Sequence, residues 1–176
     1  MKKIKIAILT LVFLLPSAVF GQRGEVLLGL SDSFDHSKKA LEYVLSAVEN
    51  MTEAYKIGPN QTNRFIILIK NDLKNSLRIV QEANERATAA QGFAKEMSCL
   101  TVTESANEAK EQLKTTQDLL SNAIELVLKA KETREASETD QYLKESIPPI
   151  EGSIKALNKA MDILNEAAYE LNQCAD

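Results

Sequence analysis

The chain has no tryptophan, one histidine and two cysteines among 176 residues, with only six glycines and four prolines. A single histidine, His36, removes most metal-centre and general-base designs. A serine triad would have to be built around it, and a di-iron bundle needs inward Glu-x-x-His motifs, which are missing. Haem ligation by His36 with Met161 fails on placement, because His36 falls outside the helical seam described below, and there is no Cys-x-x-Cys-His attachment motif. Two cysteines cannot build a structural zinc site alone. Glycine-rich phosphate loops are also lacking. No cofactor is expected, and an enzyme is the least supported class.

Long hydrophobic runs are equally scarce. The longest, Ile6 to Leu15, is interrupted by Thr10 and ended by Pro16, and it is too short for a membrane span of about 20 residues. With Lys2, Lys3 and Lys5 before it and small residues after it, the segment reads as a secretory signal peptide over residues 1–21. Val19 and Gly21 would stand at −3 and −1 of a cut before Gln22. The expected mature chain, 22–176, is one domain. Loss of three lysines lowers Lys plus Arg from 21 to 18 against 25 acidic residues, a net charge of −7. That balance argues against nucleic acid and anionic membranes as partners. Secretion or periplasmic export is expected, without stable membrane insertion.

What the chain does have is helix-forming composition and a heptad pattern. Four segments carry apolar or small residues in alternating steps of three and four. The first runs from Leu27 through Leu30, Phe34, Ser37, Leu41, Val44 and Val48 to Met51 and Tyr55. The second runs from Ile66 to Met97, the third from Ala106 to Ala130, and the fourth from Leu143 through Ile147, Ile150, Ile154 and Leu157 to Leu171. Gly58 and Pro59 suit the first break. Thr101 and Glu104 have capping-box spacing, placing the third helix start near Val102. Pro148 and Pro149 predict a short helical piece over about 140–147 and a main fourth helix from Pro149. Short connections make neighbours antiparallel, so the expected fold is all-α, an up-down-up-down antiparallel four-helix bundle of long helices.

In that topology the second and fourth helices end together, bringing Cys99 and Cys174 to one end of the bundle. In an exported chain such a pair is expected to be bridged. The run "RFIILIK" places Phe65, Ile66, Ile67, Leu68 and Ile69 in a row, more apolar surface than one seam needs, and makes a candidate partner patch. The alanines Ala87, Ala90, Ala94, Ala106 and Ala109 either let backbones approach closely or, with Phe34, Phe93 and Tyr169, line an apolar cavity. His36 is expected on the outer, solvated face. Asn50 and Asn60 open N-glycosylation triplets.

The architecture is similar to that of secreted plant invertase and pectin methylesterase inhibitors, exported four-helix bundles of about this size. Their cysteine pairs in the N-terminal half are absent here, so the similarity implies architecture alone. The expected function is a non-enzymatic protein-interaction module with a protein partner, monomeric or weakly dimeric. The alternative is a bundle that binds or senses a small apolar ligand in the Ala-rich cavity.

Overall fold

The computed structural model describes residues 17–57, 62–133 and 135–174. These form four α-helices, α1 (Ser17–Ile57), α2 (Thr62–Glu96), α3 (Leu100–Glu132) and α4 (Ala136–Glu170), with a short 3-10 turn over Leu171–Gln173. The helices pack in a closed ring, α1 on α2, α2 on α3, α3 on α4 and α4 back on α1. This is the antiparallel four-helix bundle that the heptads predict. We call the end with the α2–α3 turn lower and the end with the α1–α2 connection upper. Residues 1–16 of the expected signal segment, and the Gly58–Pro59 break, lie outside the described residues. Residues 17–21 continue α1, which therefore starts earlier than its seam implies.

The buried residues reveal how the helices pair. On α2 and α3 the core stripe is the expected one: Ile66, Ile69, Leu73, Ser76, Val80 and Ala83 onward, and Ala106, Ala109, Leu113, Thr116 and Leu120 onward. On α1 and α4 every second position differs by one residue. The α1 core stripe is Val26, Leu30, Ser33, Ser37, Ala40, Val44, Ala47, Met51 and Ala54. On α4 it alternates Leu143, Ile150, Leu157 and Leu164 with Ser146, Ser153, Ala160 and Ala167. The bulky Leu27, Phe34, Leu41, Val48 and Tyr55, expected in the seam, stand beside it, and so do Ile147, Ile154, Met161 and Ala168. At every displaced position except Val26 a serine or alanine takes the centre.

Small residues at seven-residue intervals let paired backbones come close. Two hydrogen bonds prove the proximity of α1 to α2: Ser33 Oγ donates to the Ala83 carbonyl at 2.8 Å, and Ser76 Oγ donates to the Ala40 carbonyl at 2.9 Å. A Cβ added at Gly29 would stand 3.0 Å from the Ala90 Cβ and 3.2 Å from the Arg86 carbonyl oxygen. These bonds also satisfy hydroxyls that would be costly to bury alone. Larger side chains (Ile66, Leu73, Leu113, Leu120, Leu143, Leu157) fill the centre of the bundle, all at most 2% exposed.

The two hairpins repeat one pattern. Val26, Ser33, Ala40, Ala47 and Ala54 of α1 recur 76 residues later as Val102, Ala109, Thr116, Ala123 and Ala130 of α3. Ser76, Ala83 and Ala90 of α2 recur 77 residues later as Ser153, Ala160 and Ala167 of α4.

Two expected boundaries are corrected. α4 runs unbroken through Pro148 and Pro149. The carbonyls these prolines leave without N–H partners belong to Lys144 and Glu145, both exposed to solvent. Leu143 and Ile150, a heptad apart and each at most 2% exposed, anchor the helix on both sides. α3 ends at Glu132 and α4 begins at Ala136, and between them Thr133 Oγ1 accepts the Glu135 amide at 3.3 Å. The second correction concerns α3. It starts at Leu100 with Cys99 as its N-cap and no side-chain capping bond, so Thr101 lies within the first turn rather than ahead of it.

The α2–α3 turn is made by backbone instead. Ser98 N donates to the Lys95 carbonyl and Cys99 N to the Ala94 carbonyl, both at 3.0 Å, the paired bonds of a Schellman motif. The motif requires a left-handed residue, and Ser98 adopts it with φ 59°. Serine has a Cβ that crowds the carbonyl in this region, at a cost of about 1–2 kcal/mol. Ser98→Gly is expected to raise stability by about 1 kcal/mol, or about 2–4 °C in a thermal melt. A lower melting temperature would contradict this reading of the turn.

Candidate functional site

The upper end carries the partner patch. The run 65–69 divides as helical geometry demands: Ile66 and Ile69 are fully buried in the core, and Phe65 is half-buried against it. Ile67 and Leu68 point outward, 42% and 38% exposed. The same end also exposes Tyr55 and, at 44%, Ile57 at the close of α1. The candidate surface on α2 is therefore narrower than the five-residue run, being limited to Ile67 and Leu68 with the edge of Phe65.

The alanine set closes up. Ala87, Ala90, Ala94, Ala106 and Ala109 are all fully buried, and Gly29 lies directly against Ala90. Phe34 and Phe93 are half-buried against the core. Tyr169 is 65% exposed on the outer surface and does not join them. The expected ligand cavity is thus not assembled by these residues. Tyr169 follows the buried Ala167 and the half-buried Ala168 around α4, which turns its ring outward.

A different recess lies between α1 and α4. Val48, Met51, Thr52 and Tyr55 face Ile147, Ile150 and Glu151 across about 190 Å³. It opens between the displaced bulky stripes of the two helices, which pack less extensively on one another than α1 does on α2. The signal was present in the sequence as a second apolar stripe, misread as the core itself. Burial of the Tyr55 ring, and secondarily the Asp140 carboxylate, raises the pKa of its hydroxyl above the ordinary 10.0. The neutral phenol is thus favoured in the fold. Its contribution to stability is complete below pH 10 and is lost as pH rises through the higher folded value. Ultraviolet titration is expected to show a tyrosine ionising above the usual range, and Tyr55→Phe should abolish that phase.

His36 lies at a second groove, of about 380 Å³, with Glu82, Glu85, Arg86 and Ala89. It is half-buried rather than solvated, because the one-residue shift of the α1 seam turns it toward α2. Its Nδ1 donates to the Asp32 carbonyl at 2.6 Å, and Nε2 stands 3.5 Å from Glu82 Oε2. Arg78 pairs with Glu82, and Arg86 reaches Asp32 at 3.8 Å. The groove is open and mixed in charge. Among the described residues no group of three or more His, Cys, Asp or Glu side chains is placed to hold a metal ion.

Higher on the same face, Asp72 accepts from Ser46 Oγ at 2.9 Å and from Asn50 Nδ2 at 3.0 Å. This cradle, not legible from spacing, ties α1 to α2. It also commits the half-buried Asn50 amide within a helix, unlike the exposed loop an N-glycan acceptor requires. Asn60 lies outside the described residues.

At the lower end Cys99 and Cys174 come to disulfide distance, with Cα atoms 5.7 Å apart, well inside the range a bridge needs. Arg23 Nη2 donates to the Cys174 carbonyl, which ties the tail to α1 as well. Ser105 Oγ donates to Glu170 Oε2 at 2.9 Å, joining α3 to the end of α4.

Fold and surface together define a helical bundle clamped at its lower end by the cysteine pair, with exposed apolar side chains at both ends: Ile57, Ile67 and Leu68 above, and Leu28, Leu100 and Tyr169 below. No helix among the described residues is long and apolar enough to cross a membrane. Comparison of the chain with protein-family models and with curated protein sequences finds no match.

Proposed function

We propose that this chain is an exported, non-enzymatic interaction module whose upper end docks onto an apolar surface of a protein partner. The observation that carries this reading is the exposure of the consecutive Ile67 and Leu68 on α2, with Ile57 of α1 at the same end, away from the cysteine pair, beside which Leu28, Leu100 and Tyr169 are exposed as well. Grouped apolar side chains on a solvated, acidic molecule mark a contact surface. The signal-like N-terminal segment and the cysteine pair support export.

The test is capture of binding proteins from the native envelope or secreted fraction, by wild type and by Ile67→Glu, with washes at high salt. A partner retained at high salt by wild type and lost with Ile67→Glu is the expected result. Equal retention by both would refute the patch. A small apolar ligand finds less support. The α1–α4 recess of about 190 Å³ is smaller than the roughly 300–1,000 Å³ of established ligand pockets.

A further inference from the structure

The exported chain proposed above begins at Gln22, because Val19 and Gly21 stand at −3 and −1 of the cut. Gly21 is exposed, and a Cβ built on it would meet nothing within 4 Å. The contacts that fix the start of α1 come later. Arg23 Nη2 donates to the Cys174 carbonyl, and Val26 is the first fully buried side chain among the described residues. A cut between Gly21 and Gln22 therefore leaves both in place. It also leaves an exposed glutamine, Gln22, as the first residue of the chain.

We propose that Gln22 is a modification site, at which the freed α-amine closes on the residue's own side-chain amide to give N-terminal pyroglutamate; the site rests on the export reading. The amine nitrogen attacks Cδ, and the new N–Cδ bond closes a five-membered lactam. The bond from Cδ to the side-chain nitrogen breaks, and that nitrogen takes one amine proton and leaves as ammonia. No oxidant, reductant or energy source is required. Asparagine at the same position would have to close a strained four-membered ring, so the extra methylene of glutamine is essential. Exposure of Gln22 leaves the reacting groups open to solvent and to a catalysing cyclase.

The position gives the ring a purpose. After the cut Gln22 opens α1, where unpaired backbone N–H groups disfavour positive charge. A free α-amine, ordinarily protonated below pH about 8, would place an ammonium there beside the Arg23 guanidinium. The lactam is neutral and removes that charge. It also denies aminopeptidases the amine they recognise, directly in front of Arg23, which holds the Cys174 carbonyl. The ring thus shields the tie between α1 and the C-terminal tail, at the end where Cys99 and Cys174 meet.

The test uses the full chain, exported with its own leader, isolated and reduced before mass measurement. Wild type is expected to show the mass of residues 22–176 less one ammonia and to resist stepwise N-terminal degradation. After pyroglutamate aminopeptidase its sequence should begin at Arg23. Gln22→Asn should show the full mass of its own residues 22–176 and a free amine. A general aminopeptidase should shorten Gln22→Asn and leave wild type whole. Wild type that starts at Gln22 with a free amine would overturn the inference while leaving export intact. An exported chain that starts at any other residue would overturn it through the cut. A chain retained in the cell with residues 1–21 attached would overturn the export reading with it. Equal resistance of both proteins to the general aminopeptidase would overturn the shielding role.

Discussion

Reduction of the Cys99–Cys174 pair, or Cys174→Ser, is expected to lower the stability of the dilute monomer by roughly 4 kcal/mol, or about 8–16 °C in melting temperature. The physical cause lies mostly in the unfolded chain. A bridge across 75 residues removes much of the loop-closure entropy that the unfolded state would otherwise enjoy. In the folded state the pair joins elements already held together by the Arg23 contact to the Cys174 carbonyl and by Ser105 with Glu170. Secondary structure should therefore be unchanged when the bridge is cut. Thermal melts of the wild type with and without reductant, and of Cys174→Ser, check this. Reductant should destabilise the wild type and leave Cys174→Ser unmoved. A wild-type shift below about 2 °C would mean that the pair is unbridged or contributes little.

The second large effect is expected in the α1–α2 seam, where Ala83→Leu should cost about 3 kcal/mol. Ala83 is fully buried, and its own carbonyl accepts the Ser33 hydroxyl from the facing helix. Three added carbons have no room unless α1 moves away, which would break that bond as well. Gly29→Ala should act in the same direction despite the helix propensity it gains, worth about 1 kcal/mol, because the new methyl would press on backbone atoms of α2. At Gly24 an added Cβ meets nothing within 4 Å, so Gly24→Ala should instead stabilise. Urea denaturation of the three variants measures these differences. Wild-type stability of Ala83→Leu would show that the helices are not closely paired there.

These seams also show why some of the fold was legible in the sequence and some was not. Helix number, order and direction follow from periodicity and turn chemistry, and the meeting of Cys99 with Cys174 follows from direction alone. The phase of α1 and α4 did not follow, because two apolar stripes one residue apart run along each helix. Leu27, Phe34, Leu41, Val48 and Tyr55 look more like a core than Val26, Ser33, Ala40, Ala47 and Ala54. Only the close approach of α1 to α2, sealed by Ser33 and Ser76, favours the small set. Hydrophobicity alone ranks the two stripes the wrong way.

The same displacement explains the site. With the bulky stripe beside the core, a recess opens between α1 and α4 at Val48, Tyr55 and Ile147, while His36 turns toward α2. The alanines of α2 and α3 pack shut instead of lining a cavity. In the run from Phe65 to Ile69 the α2 seam already assigns Ile66 and Ile69 to the core, and the exposure of Ile67 and Leu68 follows from that phase. Pro148 and Pro149 misled for a different reason: an exposed stretch of helix can leave its two freed carbonyls to water while the neighbouring core residues hold the helix straight.

The central claim, that the upper end is the docking face, is tested most directly by site-specific photo-cross-linking. A photoreactive side chain is placed at Ile67 or at Tyr169, and the protein is illuminated in its native secreted or envelope fraction. Both positions are exposed, but they lie at opposite ends of the bundle. The account predicts a discrete cross-linked protein from position 67, suppressed by Leu68→Glu, and none from position 169. Equal cross-linking at both positions, or none at 67, would contradict it.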